Sequence, residues 1–180
     1  MKLTFHKLPW QNQIPKRSGS WEAPFPIDNV AVHATLLPNG LILCWGRRTD
    51  PMSMIEATMD EQKTASFLLD PHSKVCRRTK NRPTRPGTPA SSTKEVDVSL
   101  FCSGHCHLPD GNIFVVGGHI RDGFGAKQTF VYDWRNDDWV IKAEPNAGLW
   151  YPTALALPNG SVFVLSGSND HYIPSNIPQV

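Results

Sequence analysis

Gly104-His-Cys-His-Leu-Pro-Asp-Gly-Asn-Ile-Phe-Val-Val-Gly-Gly118 decides how this chain folds. The Asp110-Gly111 pair after Pro109 signals a tight turn, because Asp-Gly and Asn-Gly most readily take the positive φ angles that hairpin turns use. The apolar run that follows ends in glycine and reads as a buried strand. Two other segments superimpose on it: His33-Ala-Thr-Leu-Leu-Pro-Asn-Gly-Leu-Ile-Leu-Cys-Trp-Gly46 and Thr153-Ala-Leu-Ala-Leu-Pro-Asn-Gly-Ser-Val-Phe-Val-Leu-Ser-Gly167. Three hairpins of one design are therefore expected.

Each hairpin is followed by at least the start of a further strand. Thr129-Phe-Val-Tyr-Asp133 follows the second, Thr64-Ala-Ser-Phe-Leu-Leu-Asp70 follows the first, and Ile177-Pro-Gln-Val180 begins the outer part of the third unit. In the second unit Gly117-Gly118, Tyr132 and Trp139 stand in the order of the kelch signature, which the unit resembles. The first unit is degenerate, with Arg47 after Gly46, Leu69 in place of the Tyr and Cys76 in place of the Trp. Kelch blades recur at about 50 residues and give four short strands to a ring of sheets. Pro109 and Pro158 lie 49 residues apart. The expected fold is all-β: a partial kelch-type β-propeller of about three blades, the last incomplete.

Pro38 and Pro109 stand farther apart than Pro109 and Pro158, and the first unit exceeds the kelch repeat by about 20 residues. Arg77, Arg78, Lys80, Arg82 and Arg85 lie among Pro83, Pro86, Gly87, Pro89, Ser91 and Ser92. That composition buries little apolar area, and we read residues 77–96 as a basic Pro/Ser-rich loop inserted between blades. Residues 1–20 read as an amino-terminal extension and residues 21–180 as the incomplete propeller. An array of about three blades leaves two open flanks, which points to a fragment or to completion by another chain.

Composition narrows the class. Sixteen Pro and thirteen Gly favour turns over long helices, while 39% hydrophobic residues suffice for a core. A net charge of +2 does not single out a nucleic-acid partner. No apolar run approaches the roughly 20 residues of a spanning helix, so no membrane partner is expected. Met1 to Trp10, broken by Lys2, His6, Lys7 and Pro9, does not read as a secretory signal. Cys44, Cys76, Cys102 and Cys106 are too few and too irregularly spaced for a disulfide framework, and the compartment stays open.

Cys102 stands seven residues before Pro109, and Tyr151 seven before Pro158. Phe101 and Trp150 precede them at another matched position. Equivalent positions of consecutive blades are neighbours about the propeller axis, so a thiol and a phenol are expected side by side.

Leu100-Phe-Cys-Ser-Gly-His105 with Leu108-Pro-Asp-Gly111, and Trp150-Tyr-Pro-Thr153 with Leu157-Pro-Asn-Gly160, resemble the galactose oxidase and glyoxal oxidase family of copper radical oxidases. Val32-His-Ala-Thr-Leu-Leu-Pro-Asn-Gly40 is similar to the family's first blade, so the resemblance runs from about Trp21 to the last residue. It implies that Cys102 forms a thioether with Tyr151, that Tyr151 is both copper ligand and radical site, and that Trp150 shields the radical. It further implies oxidation of a small alcohol, aldehyde or carbohydrate by dioxygen, giving hydrogen peroxide. Copper(II) suits imidazole nitrogen and phenolate oxygen, and a tyrosyl radical holds the second of the two oxidising equivalents. Leu149 departs from the family, where an Arg commonly stands two residues before the radical Tyr. The family's second Tyr ligand and two His ligands come from later blades and a carboxy-terminal domain. Copper therefore requires ligands supplied from elsewhere, and the chain alone is expected to be inactive.

Two further readings compete. Cys102, His105, Cys106, His107 and His119 could be taken as a zinc cluster, but four residues of extended chain separate Cys102 from Cys106 by about 13 Å. That is too far for easy chelation or for a disulfide, and His105 and His107 fall on the opposite face of the strand as ordinary strand residues. Asn159-Gly-Ser161 matches a glycosylation acceptor, though the turn already explains Asn-Gly. The alternative to an oxidase portion is a non-catalytic kelch-like module that binds a partner.

Overall fold

The computed structural model describes residues 21–27, 30–46, 64–85 and 96–180. The amino-terminal extension, Arg47 and residues 86–95 of the expected insertion lie outside these. The first sheet is a meander of β1 (His33–Leu36), β2 (Ile42–Trp45), β3 (Ser66–Leu69) and β4 (Cys76–Arg78). A short ribbon of β5 (Thr84–Arg85) and β6 (Val96–Asp97) leads to β7 (Ser103–His107) and β8 (Ile113–Gly117). After a hairpin of β9 (His119–Arg121) and β10 (Phe124–Gly125), β11 (Thr129–Asp133) and β12 (Asp138–Ile141) complete the second sheet, ordered β12-β11-β8-β7. The third sheet has β13 (Thr153–Ala156) and β14 (Val162–Leu165). All pairings are antiparallel and no helix occurs among the described residues, so none is long and apolar enough to cross a membrane. The fold is all-β, with two full four-stranded sheets and a third begun, as in a partial β-propeller.

The three hairpins share one turn, and it differs from the expected one. Only the glycine takes positive φ, at 83° for Gly40, 83° for Gly111 and 87° for Gly160. Gly40 donates its N–H to the Leu37 carbonyl and Leu37 donates to the Leu41 carbonyl, with the same pair of bonds at Leu108 and Leu157. This is a turn with Pro in its first central position, closed by a glycine bulge. The Asn or Asp side chain completes it: Asn39 Oδ1 accepts from Leu41, Asp110 Oδ1 from Asn112 and Asn159 Oδ1 from Ser161. A second repeated turn joins the outer strands, where Asp70 and Asp133 each accept two backbone N–H groups. Lys74 and Asp137 close these turns at φ 60° and 54°.

Register bears out the degenerate first unit, since Leu69 pairs with Cys76 where Tyr132 pairs with Trp139. Arg77 and Arg78, assigned from sequence to the inserted loop, belong instead to β4. Their backbones pair with Leu68 and Phe67 while their side chains stay exposed, so this strand is held by hydrogen bonds rather than burial. In the third unit, Gln179 exchanges both backbone bonds with Val164 at 2.9 and 3.0 Å. Gln179 follows Phe130, and Val164 follows its partner Val115, by the same interval that separates Pro158 from Pro109. The repeat thus persists to the beginning of a third strand.

The first and second sheets pack face to face. Trp45, Leu43, Leu100, Ile113, Val115, Phe130 and Tyr132 are fully buried between them, each contributing about 1.5–3 kcal/mol for an aliphatic or Phe-sized side chain. The polar ends are satisfied: Trp45 Nε1 donates to the Leu100 carbonyl at 3.0 Å and Trp139 Nε1 to Ser66 Oγ at 3.0 Å. Val116, Leu149, Ala154 and Val164 make the smaller seam between the second and third sheets.

Candidate functional site

Cys102 and Tyr151 sit at matched bends, one residue before β7 and two before β13. Both adopt left-handed backbone, φ 61° and 58°. Side chains seldom tolerate this conformation, and here it recurs at equivalent positions of two units. The Tyr151 N–H donates to the Cys102 carbonyl at 2.7 Å. The backbones of the two residues are thus brought together, while their side chains differ in environment: Cys102 is fully buried, whereas Tyr151 is 48% exposed.

The approach of the two bends depends on glycine. A Cβ at Gly104 would lie 2.4 Å from the Pro152 carbonyl oxygen, so only glycine lets the inner strands come so close. A Cβ at Gly117 would meet the Leu149 oxygen at 2.2 Å, and one at Gly118 the Ser99 oxygen at 2.3 Å. The double glycine therefore passes between the segments carrying the two candidate residues. Gly118 donates to the Leu149 carbonyl at 2.9 Å, and the buried Gln128 Nε2 ties Ser99 and Gly117 carbonyls together at 2.8 and 3.1 Å.

Aromatic rings frame Tyr151. Trp150 lies edge to face with it at 4.9 Å between centroids, and Phe101 does so at 6.4 Å. Such contacts are worth about 0.5–1.5 kcal/mol each and limit the directions the phenol can take. Trp150 Nε1 donates to His119 Nδ1 at 3.3 Å, and Phe101 stacks edgewise on His119 at 5.4 Å. His119 thus supports Trp150. In the sequence it enters only as a candidate zinc ligand, although its place directly after Gly117-Gly118 returns it over the bends.

The other members of the supposed zinc set are dispersed. His105 packs against Trp45 at 5.1 Å and His33 at 5.7 Å, on the first-sheet side. His107 Nε2 bonds the Leu36 carbonyl at 2.7 Å, while Cys106 packs with the seam on the other face. His105 and His107 are thus contacts between sheets rather than ordinary strand residues. Burial lowers the His33 pKa to about 4, aided by the neighbouring His105. Burial likewise lowers that of His105, and it raises the Cys106 thiol.

Among the described residues no three His, Cys, Asp or Glu converge as a metal centre. Tyr151 offers one phenol oxygen and His119 Nδ1 is engaged by Trp150. The described residues do not by themselves fit a copper site, although a backbone bond joins Cys102 and Tyr151.

No family model matches the chain. Two galactose oxidases from Gibberella zeae are each 30% identical to it over 86 residues, which is 46% of this chain and 12% of theirs. The chain thus corresponds to a small fraction of the length of those relatives. Among solved structures, a fungal alcohol oxidase of the AA5 family in complex with copper superimposes with a TM-score of 0.61 at 18% identity, covering 89% of this chain and 29% of that one. That likeness speaks to the fold, and the sequence likeness to ancestry. The sequence likeness agrees with the resemblance noted above: over 86 residues the chain is similar to galactose oxidases.

Proposed function

We propose that residues 21–180 are kelch-type blades from the amino-terminal part of a copper radical oxidase that converts a small alcohol, aldehyde or carbohydrate with dioxygen to an oxidised product and hydrogen peroxide. The observation that carries this reading is the Tyr151–Cys102 backbone bond between two matched left-handed residues. It supports a thioether between Cys102 Sγ and the Tyr151 ring. Forming that bond breaks one S–H and one ring C–H, and the two electrons and two protons pass to dioxygen to give hydrogen peroxide.

In this reading the buried sulfur fixes and tunes the ring, Trp150 and Phe101 hold it edge-on, and the half-exposed phenol is the face open to substrate. Tyr151 would be one copper ligand, and the others would come from a completing part of the propeller or another chain. The chain by itself is then inactive.

The test is peptide mapping after exposure to copper(II) and air. Trypsin releases Cys102 in Glu95–Arg121 and Tyr151 in Ala143–Val180. A linked pair lighter than the sum by two hydrogens is expected, and it should vanish in Tyr151→Phe. Quantitative alkylation of Cys102 with no linked pair would refute the thioether. Peroxide production from galactose, glycerol or methylglyoxal that is lost in Tyr151→Phe would refute inactivity of the chain alone.

A further inference from the structure

The third hairpin turn carries a hydroxyl that its backbone does not require. All three turns need their glycine, and all three use the Asn or Asp oxygen to accept a backbone N–H two residues on. The residue that donates this N–H varies, being Leu41, Asn112 and Ser161 in turn. Of these only Ser161 adds a hydroxyl, and its Oγ donates to Asn159 Oδ1 at 2.8 Å. Asn159-Gly160-Ser161 is also the one Asn-X-Ser/Thr triplet in the sequence.

Partners and surroundings set Asn159 apart. Both bonds to its side chain fall on Oδ1, and among the described residues none accepts from its Nδ2. By contrast, Nδ2 of Asn81, Asn112 and Asn136 is held by Asp138, Asp110 and Asp133 at 2.9, 2.7 and 2.7 Å. A Cβ at Gly111 would strike Pro38 at 2.4 Å, but one at Gly160 would meet nothing within 4 Å. Pro158, Asn159 and Gly160 are all exposed. Asn39 shares this openness but has Leu41 where the hydroxyl would stand. The Asn159 amide nitrogen therefore faces open solvent, with the Ser161 hydroxyl fixed beside it.

We infer that Asn159 is an N-glycan acceptor, taking an oligosaccharide from a lipid-linked pyrophosphate donor wherever the chain meets one. Asn159 Nδ2 forms the new bond to the anomeric carbon of the first sugar. The bond from that carbon to the pyrophosphate oxygen breaks, and the lipid pyrophosphate and the amide proton are released. Ser161 supplies the hydroxyl that the acceptor triplet requires. A bulky, hydrated group is tolerated here because the turn packs against nothing on its outer side. Strand β13 separates the turn from Tyr151, so a glycan on Asn159 stands at the far end of the strand from the phenol. The inference does not rest on the oxidation chemistry proposed above.

The probe is the full chain carried by a cleavable secretory leader into the lumen of a eukaryotic host, whose lipid-linked oligosaccharide is the donor. Its intact mass should exceed that of the same chain made in bacteria by one oligosaccharide. Peptide N-glycosidase should remove the glycan from the folded chain without denaturant, converting Asn159 to aspartate in the tryptic peptide Ala143–Val180. Ser161→Ala keeps Asn159 and Gly160 and should lose the glycan, while Ser161→Thr should retain it. Transfer takes place as the chain enters the lumen, so chain retained there by misfolding reports equally well. Unmodified Asn159 in most of the lumenal chain, or a glycan that persists in Ser161→Ala, would overturn the inference. Release of the glycan only after denaturation would overturn it too, because the turn would then not be open.

Discussion

The backbone N–H of Tyr151 donates to the carbonyl of Cys102 across 2.7 Å, with both residues in the left-handed region at φ 58° and 61°. Tyr151→Phe removes only a hydroxyl from a half-exposed ring and should change stability by less than about 0.5 kcal/mol. Tyr151→Pro both deletes the donor and demands φ near −65°, and should cost about 3 kcal/mol or more. Urea unfolding of the two variants distinguishes a bend held by its backbone from one held by its side chain. Equal losses would count against the backbone bond.

Two glycines separate close approach from conformation. Gly40 has φ 83° with no atom within 4 Å of a would-be Cβ, so Gly40→Ala should cost only the conformational term, about 1 kcal/mol. A Cβ at Gly104 would lie 2.4 Å from the Pro152 oxygen. Gly104→Ala must push the inner strands apart and should cost more, in the range of about 1–3 kcal/mol for overpacking, and should lower the yield of any Cys102–Tyr151 crosslink. A smaller loss at Gly104 than at Gly40 would contradict the packing described.

At the first seam, Trp139→Phe keeps most of the apolar area but leaves Ser66 Oγ without the indole donor. Ser66 retains its bond to Thr79 Oγ1 at 2.7 Å, so the loss should stay near about 1–2 kcal/mol. A double-mutant cycle with Ser66→Ala should show coupling of about 1 kcal/mol. Additive losses would show that the contact carries no energy of its own.

Acid should unfold this protein early. His33 is buried against Trp45, its rings stacked at 5.2 Å, and its Nε2 has no hydrogen-bond partner among the described residues. Its pKa falls from 6.5 to about 4. Between these values the unfolded chain binds the proton and the folded chain does not, so stability is full above pH 6.5 and is lost as pH falls toward 4. The loss from His33 is at most about 3 kcal/mol. His33→Phe keeps the stacking, and its denaturation midpoint should vary less across that window. An unchanged acid limb would assign the effect to other groups.

The repeat is legible in the sequence because its requirements are local. Leu-Pro-Asn/Asp-Gly specifies its turn within four residues, and the equivalence of Cys102 with Tyr151 follows from counting back from Pro109 and Pro158. Contacts between sheets are not legible in this way. Nothing adjacent to His105 in sequence announces Trp45 or His33, and the use of Gly117-Gly118 as a spacer appears only when Leu149 and Ser99 are seen on either side. Strand β4 is hidden for another reason. Arg77 and Arg78 gain from pairing with β3 rather than from burial, so the hydrophobic pattern that marks β8 or β11 is missing there. Equivalence also does not reveal environment, since the matched positions 102 and 151 differ in how deeply their side chains are buried.

The unequal seams give the molecule a gradient of protection. Among the described residues the first two sheets share eleven buried side chains, Trp45, Phe130 and Tyr132 included, whereas the third is held by Val116, Leu149, Ala154 and Val164. Backbone amides at the first seam can exchange with solvent only when the whole structure opens, while those of β13 and β14 need only the third sheet to lift away. Deuterium should therefore enter Ala154 and Val164 well before Val115 and Phe130. The half-exposed Tyr151 lies on the early-opening side of that boundary and its buried partner Cys102 on the late-opening side, so a covalent link between them would tie the two cooperative units into one.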